Sequence, residues 1–280
     1  MKLLLHRFPG NGLRPSFGNN LFGWLAMKVI QQQYGHIEVN HLEELNKPLE
    51  ISDSVWERYS LEFEKNQTLR IAECTHRDLH LYAFFQNSTV LLHYREYLKS
   101  LITKENTEYI TPLTEPQVVQ VSDIASTIID DAPTNNDIVI HVRLGDFKHN
   151  GGSSSEIIHP VSYWNILDTL SFERLIIVVK APEDAFEHKY LDLFKKRYPN
   201  VVIRSSTKLV EDFVFLMKSK RIIVSNSTFC WSAAFLGDSE ENYVIRNTYY
   251  KGQKLDHVNS KSILCGVQYI TPEDIERLSI

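Results

Sequence analysis

The chain has few of the features that mark the commoner ligand chemistries. Of its 280 residues only three are cysteine, Cys74, Cys230 and Cys265. Odd in number and far apart, they give neither a disulfide framework nor a metal-ligand spacing. No D-x-D triplet, Walker loop or G-x-G-x-x-G run occurs. Clustered carboxylates are the usual holders of a Mg²⁺ or Mn²⁺ that bridges a diphosphate, so the reading assigns no metal and no cofactor. No apolar stretch has the length of a membrane span. The opening MKLLLHRFPGNG has an apolar centre of Leu3, Leu4 and Leu5, too short for a signal-peptide core and better read as a buried first strand. Positive charge is also lacking. A net charge of −5 argues against nucleic acid or an anionic membrane as partner. The few, scattered cysteines and the lack of a signal-peptide core point to a reducing, cytoplasmic setting. Three N-x-[ST] sequons, at Asn66, Asn87 and Asn226, read as chance without a secretion signal.

The pattern that is present belongs to an α/β protein. Apolar runs at residues 138–142, 175–179, 201–203, 222–224 and 243–245 are continuous rather than alternating, as in strands buried on both faces. Helical stripes lie between them: Val161, Trp164, Leu167 and Leu170; Phe186, Tyr190, Leu193 and Phe194; Leu209, Phe213, Leu216 and Met217. Strands alternating with helices predict a parallel sheet, and residues 133–260 read as one Rossmann-like domain. Residues 1–132 read as an N-terminal domain. It has a strand over 2–6 and a stripe of Leu21, Phe22, Leu25, Ala26, Val29 and Ile30, with Asn19 or Asn20 as cap. A second helix is marked by Leu91, Tyr94, Leu98 and Leu101, and a third by Val121, Ile124 and Ile128. Residues 38–67 are polar and give no clear element. Residues 130–137 (DDAPTNND) are the best linker. Residues 261–280 form a C-terminal segment that ends in a helix capped by Thr271 and is expected to pack back on the N-terminal domain.

Two segments about eighty residues apart carry the chemistry: IVIHVRLGDF at 138–147 and RIIVSNSTFCWSAAFLG at 221–237. Each is an apolar run that ends in polar groups suited to an anion, and in open parallel sheets ligands gather at the carboxyl ends of strands. Arg143 there can hold a diphosphate by two parallel hydrogen bonds. A fixed cation beside a departing diphosphate stabilises the transition state more than the ground state. The plainer alternative is a structural Arg143–Asp146 pair with His141 simply packed. Ser225, Asn226, Ser227 and Thr228 lie between a strand and a helix, where backbone N–H groups and small hydroxyls bind phosphate; the alternative is an ordinary helix cap. Glu211 and Asp212 are placed to hold ribose hydroxyls, or else are favourable acids in a first helical turn.

These residues resemble a known family. HVRLGDF resembles the H-V-R-R-G-D-Y segment of α1,2-fucosyltransferases and their relatives, and SNSTFCWSAAFLG their N-S-T-F-S-W-W-A-A segment. SFGNNLFGWLA at 16–26, LYAFFQN at 81–87 and EDFVFLMKSKRIIVSNST at 211–228 are similar to three more, in the same order. The resemblance implies a GT-B fold of two Rossmann-like domains with a cleft between them, and an inverting, metal-independent transfer from a nucleotide sugar to an oligosaccharide or glycoprotein. It places Arg143, Ser227 and Thr228 on the donor, with Gly18, Asn19 and Asn20 facing the acceptor. His141 and Lys180 join the donor set. Asp78, Glu73 and Asp146 are the candidate bases, with Asp78, between His76 and His80, in front.

The chain departs from the pattern at two places. Leu144 stands where relatives have a second Arg, and Lys180-Ala181-Pro182 replaces their S-D-D. Both departures turn the expectation away from GDP-fucose. A narrower resemblance, to chlorovirus xylosyltransferases of capsid N-glycans, implies UDP-xylose as donor and an N-glycan fucose as acceptor. GDP-fucose-dependent α1,2-fucosyl transfer is the alternative. A non-catalytic glycan-binding protein and a phosphatase or kinase on a similar sheet are the rivals from other classes.

Overall fold

The computed structural model describes residues 3–5, 17–34, 49–52, 56, 58–60, 63, 79–82, 88–111, 118–148, 157–205, 207–245, 260–264, 268–271 and 274. The chain divides into two compact units, Met1–Ala125 with Gly252–Asp256, and Ser126–Lys251 with His257–Ile280.

The first unit carries a parallel sheet of three strands in the order β1-β3-β2. They are β1 (Leu3–Leu5), β2 (Leu49–Ser52) and β3 (Leu79–Tyr82). β3 lies in the middle, with Leu79 level with Leu3 on one side and Leu49 on the other. Helix α1 (Phe17–Tyr34) supplies a large apolar block to the interior. Leu21, Phe22, Leu25, Ala26, Val29 and Ile30 are fully buried, as the stripe requires, but so are Trp24 and most of Lys28. Lys28 tolerates burial because its Nζ donates to Glu108 at 2.5 Å, and the Trp24 indole N–H donates to the other Glu108 oxygen at 2.8 Å. The helix begins four residues earlier than its apolar stripe, so Gly18, Asn19 and Asn20 form its first turn and neither Asn caps it. The second helix is two short ones, α2 (Ser88–His93) and α3 (Arg95–Ser100), broken at Tyr94 with φ −93° and ψ 12°. The third, α4 (Val121–Ser126), stops before Ile128, which is 81% exposed rather than buried.

The second unit is built on six parallel strands: β4 (Asp137–His141), β5 (Arg174–Val178), β6 (Val201–Arg204), β7 (Arg221–Val224), β8 (Glu241–Ile245) and β9 (Ser260–Leu264). Their order is β6-β5-β4-β7-β8-β9. The chain lays down β4, β5 and β6 in one direction, then returns to place β7 on the other side of β4. This is the doubly wound order, and it reverses between β4 and β7. Four helices connect successive strands from β4 to β8: α5 (Pro160–Leu167), α6 (Ala185–Arg197), α7 (Leu209–Met217) and α8 (Thr228–Leu236).

Two of these helices start at a side-chain cap. His159 caps α5 by accepting the Val161 N–H at 3.1 Å, with Pro160 at the first position. Asp184 caps α6 by accepting the Glu187 N–H at 2.9 Å, and Lys195, Lys196 and Arg197 sit in the last turn, where the helix dipole favours cations. The buried face of α5 is rotated from the expected stripe. Tyr163, Ile166 and Leu167 are the inward residues, whereas Trp164 is half-buried under the Arg197 guanidinium, 4.8 Å from its ring. Helix α8 is buried from Phe229 to Leu236, as a helix apolar all round should be. It ends at Gly237, where a Cβ would stand 2.2 Å from the Met217 carbonyl oxygen at the end of α7. No side chain fits there.

Residues 130–137 form a turn into β4 rather than a loose tether. The Thr134 N–H and hydroxyl both donate to Asp137, at 2.7 and 2.9 Å. Of the C-terminal segment, 260–264 is a sheet strand, and 268–271 lies along 157–159, through His159 N–H to Gln268 O at 2.8 Å and Ile270 N–H to Ile157 O at 3.0 Å. The Thr271 hydroxyl and N–H donate to Asp274. The rest of the expected terminal helix lies outside the described residues.

Candidate functional site at the carboxyl edge of the second sheet

The ends of β4 and β7 meet at the point where the strand order reverses. His141 is the last residue of β4, and Ser225 follows the last residue of β7. The His141 Nδ1 lies 3.4 Å from the Ser225 hydroxyl. The imidazole is nearly fully buried, with its ring 5.4 Å from that of Phe229 on α8. Burial first, and the neighbouring Arg143 guanidinium second, hold the His141 pKa down to about 3. The imidazole is therefore neutral at ordinary pH and offers a hydrogen bond rather than a charge. Below it, the Tyr163 hydroxyl donates to the His141 carbonyl at 3.4 Å. The Cys230 thiol, beside Ser225, is pushed up to about 12 by burial, so it is no nucleophile at neutral pH.

Past His141 the chain turns sharply. Arg143 is partly exposed, and its guanidinium lies 5.3 Å from the centre of the Phe147 ring. The next side chain points the other way. Leu144 is 5% exposed and belongs to the apolar core with Ile157, Tyr163 and Tyr190. Leu144, where the resemblance implied a second Arg, is thus a core residue. Gly145, at φ +51°, makes the turn that a Cβ would strain, and residues Gly145–Lys148 form a short 3-10 helix. Asp146 stands in that helix.

Across the crevice, Ser227 occupies the N-cap of α8 but its hydroxyl makes no capping bond. Ser225 and Ser227 are buried, Asn226 and Thr228 half-buried. Amide groups of the first helical turn need an acceptor from outside the helix, and the helix dipole favours an anion there. A guanidinium on one strand end and a helix N-terminus on the next suit a phosphate-bearing ligand.

The remaining donor candidates lie along the same edge. Lys180, beyond the end of β5, is mostly exposed and pairs with Glu183 at 2.6 Å. Glu211 pairs with Lys208 at 3.1 Å in the first turn of α7. Asp212, one residue on, is buried with its carboxylate 3.7 Å from the Arg204 guanidinium. Arg204 ends β6 and lies flat on Phe215 at 4.2 Å; nothing in the strand pattern singled it out. The reading also missed Lys148 and Glu187, which anchor the Arg143 turn. Their partners are 39 to 42 residues away, and local periodicity carries no trace of that. Gly18, Asn19 and Asn20 are together in the first turn of α1. Asp78 and Glu73 lie outside the described residues, as does the side chain of Asp146.

This edge, with a cation and a helix N-terminus flanking its switch point, belongs to a doubly wound α/β protein, a class whose ligands bind at that point. The Glycosyl transferase family 11 profile matches residues 54–266, most of the chain including every strand-end group just described. The chain belongs to that family and is a glycosyltransferase, with a sugar donor and an acceptor as its partners. No curated protein and no solved structure gives a significant match. Among the described residues no helix is long and apolar enough to cross a membrane.

Proposed function

We propose that the chain is an inverting GT-B glycosyltransferase whose donor diphosphate lies across the ends of β4 and β7, and that the donor is GDP-fucose. One observation carries this reading. The two strand ends with anion-binding groups, His141 with Arg143 and Ser225 to Thr228, adjoin at the switch point and touch through His141 and Ser225 at 3.4 Å. Membership of family 11, whose members are fucosyltransferases, supports fucose over xylose. UDP-xylose, with an N-glycan fucose as acceptor, is the second reading. It is favoured by Leu144, which turns into the core where relatives have an Arg.

As the glycosidic bond breaks, negative charge gathers on the leaving diphosphate. Arg143 opposes that charge, helped by the N–H groups and hydroxyls at the start of α8. The neutral His141 adds a hydrogen bond without a proton transfer. Asp212 is assigned to the nucleoside end, held by Arg204. An inverting transfer needs a base on the acceptor hydroxyl, assigned first to Asp78, with Glu73 and Asp146 next. Gly18, Asn19 and Asn20 are assigned to the acceptor. With no D-x-D triplet in the chain, Arg143 takes the role a metal plays elsewhere; the few, scattered cysteines support a cytoplasmic setting.

The test is a transfer assay with GDP-fucose and UDP-xylose in EDTA. Turnover of GDP-fucose alone supports the first reading, and turnover of UDP-xylose alone replaces it with the second. Loss of all transfer in EDTA, restored by Mn²⁺, contradicts the metal-independent mechanism.

A further inference from the structure

We infer that the buried pair Lys148–Glu187 is a positioning clamp that sets Arg143 for the diphosphate, through Phe147. The inference rests on the diphosphate role given to Arg143 above.

Glu187 is in the first turn of α6 and is 3% exposed. One of its oxygens accepts from Lys148 Nζ at 2.6 Å and from the Gly145 N–H at 3.1 Å. The other accepts the Glu183 N–H at 2.7 Å. A carboxylate so deeply placed is tolerable only when its lone pairs are engaged in this way. The Lys148 ammonium also bonds to Asp184, the cap of α6. Burial pulls the Lys148 pKa down, but the bonds to Asp184 and Glu187 more than offset it, and the net shift is upward.

The clamp therefore grips the Arg143 turn at both ends of its 3-10 helix, Gly145 and Lys148. Phe147 lies between those two grips, and its ring is the surface against which the Arg143 guanidinium rests. The Lys148 side chain is 11% exposed and turned to two carboxylates. It acts through the turn rather than on the ligand. The loop after β5 leads into Asp184 and Glu187, which serve the neighbouring loop.

A double-mutant cycle separates positioning from plain stabilisation. GDP and UDP affinities are measured by calorimetry on Lys148→Met, Arg143→Ala and the double variant, all with folding checked by circular dichroism. In the wild-type background Lys148→Met should weaken binding of the preferred nucleotide roughly tenfold, since small displacements of a binding group are costly. In the Arg143→Ala background it should change affinity less than about twofold. Lys148→Arg should restore most of the loss. A folded Lys148→Met with wild-type affinity, or an equal loss in both backgrounds, overturns the clamp and leaves the diphosphate reading standing. Arg143→Ala with unchanged affinity overturns both. Should Lys148→Met fail to fold, Phe147→Leu keeps the clamp and removes only the ring. It should weaken binding severalfold, and wild-type affinity there refutes the path through Phe147.

Discussion

At the amino edge of the second sheet, β4 starts with Asp137 and β5 with Arg174. The two side chains close on each other by two parallel hydrogen bonds of 2.9 and 2.8 Å, and Thr134 supplies two more to the same carboxylate. At the carboxyl edge β4 ends in His141, which reaches Ser225 only at 3.4 Å, and β5 leads into the exposed Lys180, paired with its own loop's Glu183. There Ser227 starts a helix without using its hydroxyl to cap it. The polar groups of one edge serve the fold, and we propose that those of the other serve a ligand. An arginine in each, Arg174 and Arg143, thus has a different task, and residue type alone does not tell them apart.

The largest expected effect breaks this comparison if it fails. Arg143→Ala should lower transfer roughly a hundredfold or more while leaving the urea midpoint unchanged. A normal rate in the folded variant would remove Arg143 from the reaction. Arg174→Ala should do the reverse. It leaves the carboxylate of Asp137, 1% exposed, without its cation, and should cost about 2–3 kcal/mol in urea unfolding. Activity per folded molecule should hold. The Arg174 hydrogen bonds keep the Asp137 pKa below the usual carboxylate range. Its stabilisation is therefore full above the unfolded carboxyl pKa and is lost as pH falls through the folded one. Arg174→Ala should weaken that acid dependence, with the two Thr134 bonds left to hold the remainder.

A third effect sharpens the contrast through pH. The unfolded chain protonates His141 near 6.5 and the folded chain only near 3. Between those values the unfolded state binds more protons. The stability due to neutral His141 is thus full above pH 6.5 and drains as pH falls toward 3. In His141→Gln, urea midpoints taken from pH 7 to 4.5 should fall less steeply than in the parent. An identical slope would mean that the imidazole takes up its proton in the folded state. The smallest effect is Ser227→Ala. With no capping bond to lose, stability should change by less than about 0.5 kcal/mol, whereas GDP affinity should fall a few-fold in calorimetry. A large stability loss would make Ser227 a cap after all.

Much of the second unit was legible because its strands are buried on both faces. Runs such as IVI before His141 and IIV before Ser225 leave little choice of element. The strands that escaped notice are short or lie at a sheet margin: LEIS in β2, LHLY in β3, and SKSIL in β9, whose first half is polar beside β8. Lys28 interrupts an apolar helix because its partner Glu108 is eighty residues on. Tyr94 bends two helical turns that periodicity joins. At the site, the strand-end groups followed from pattern plus the carboxyl-edge rule. The order in which the strands lie, which puts β4 beside β7, had to come from the fold. So did the Lys148–Glu187 clamp, since a buried Glu in a first helical turn reads like any solvated one until its partners are known.

The central claim is that a nucleoside diphosphate is held by Arg143 and the start of α8. Its most direct test is the shift in melting temperature caused by GDP, UDP and their nucleosides in wild type, Arg143→Ala and Arg174→Ala, because selective binding to the folded state raises that temperature. One diphosphate should stabilise wild type and Arg174→Ala by the same increment, its nucleoside should give little, and Arg143→Ala should lose the response. A full shift in Arg143→Ala, or the same shift from the nucleoside alone, would contradict the account.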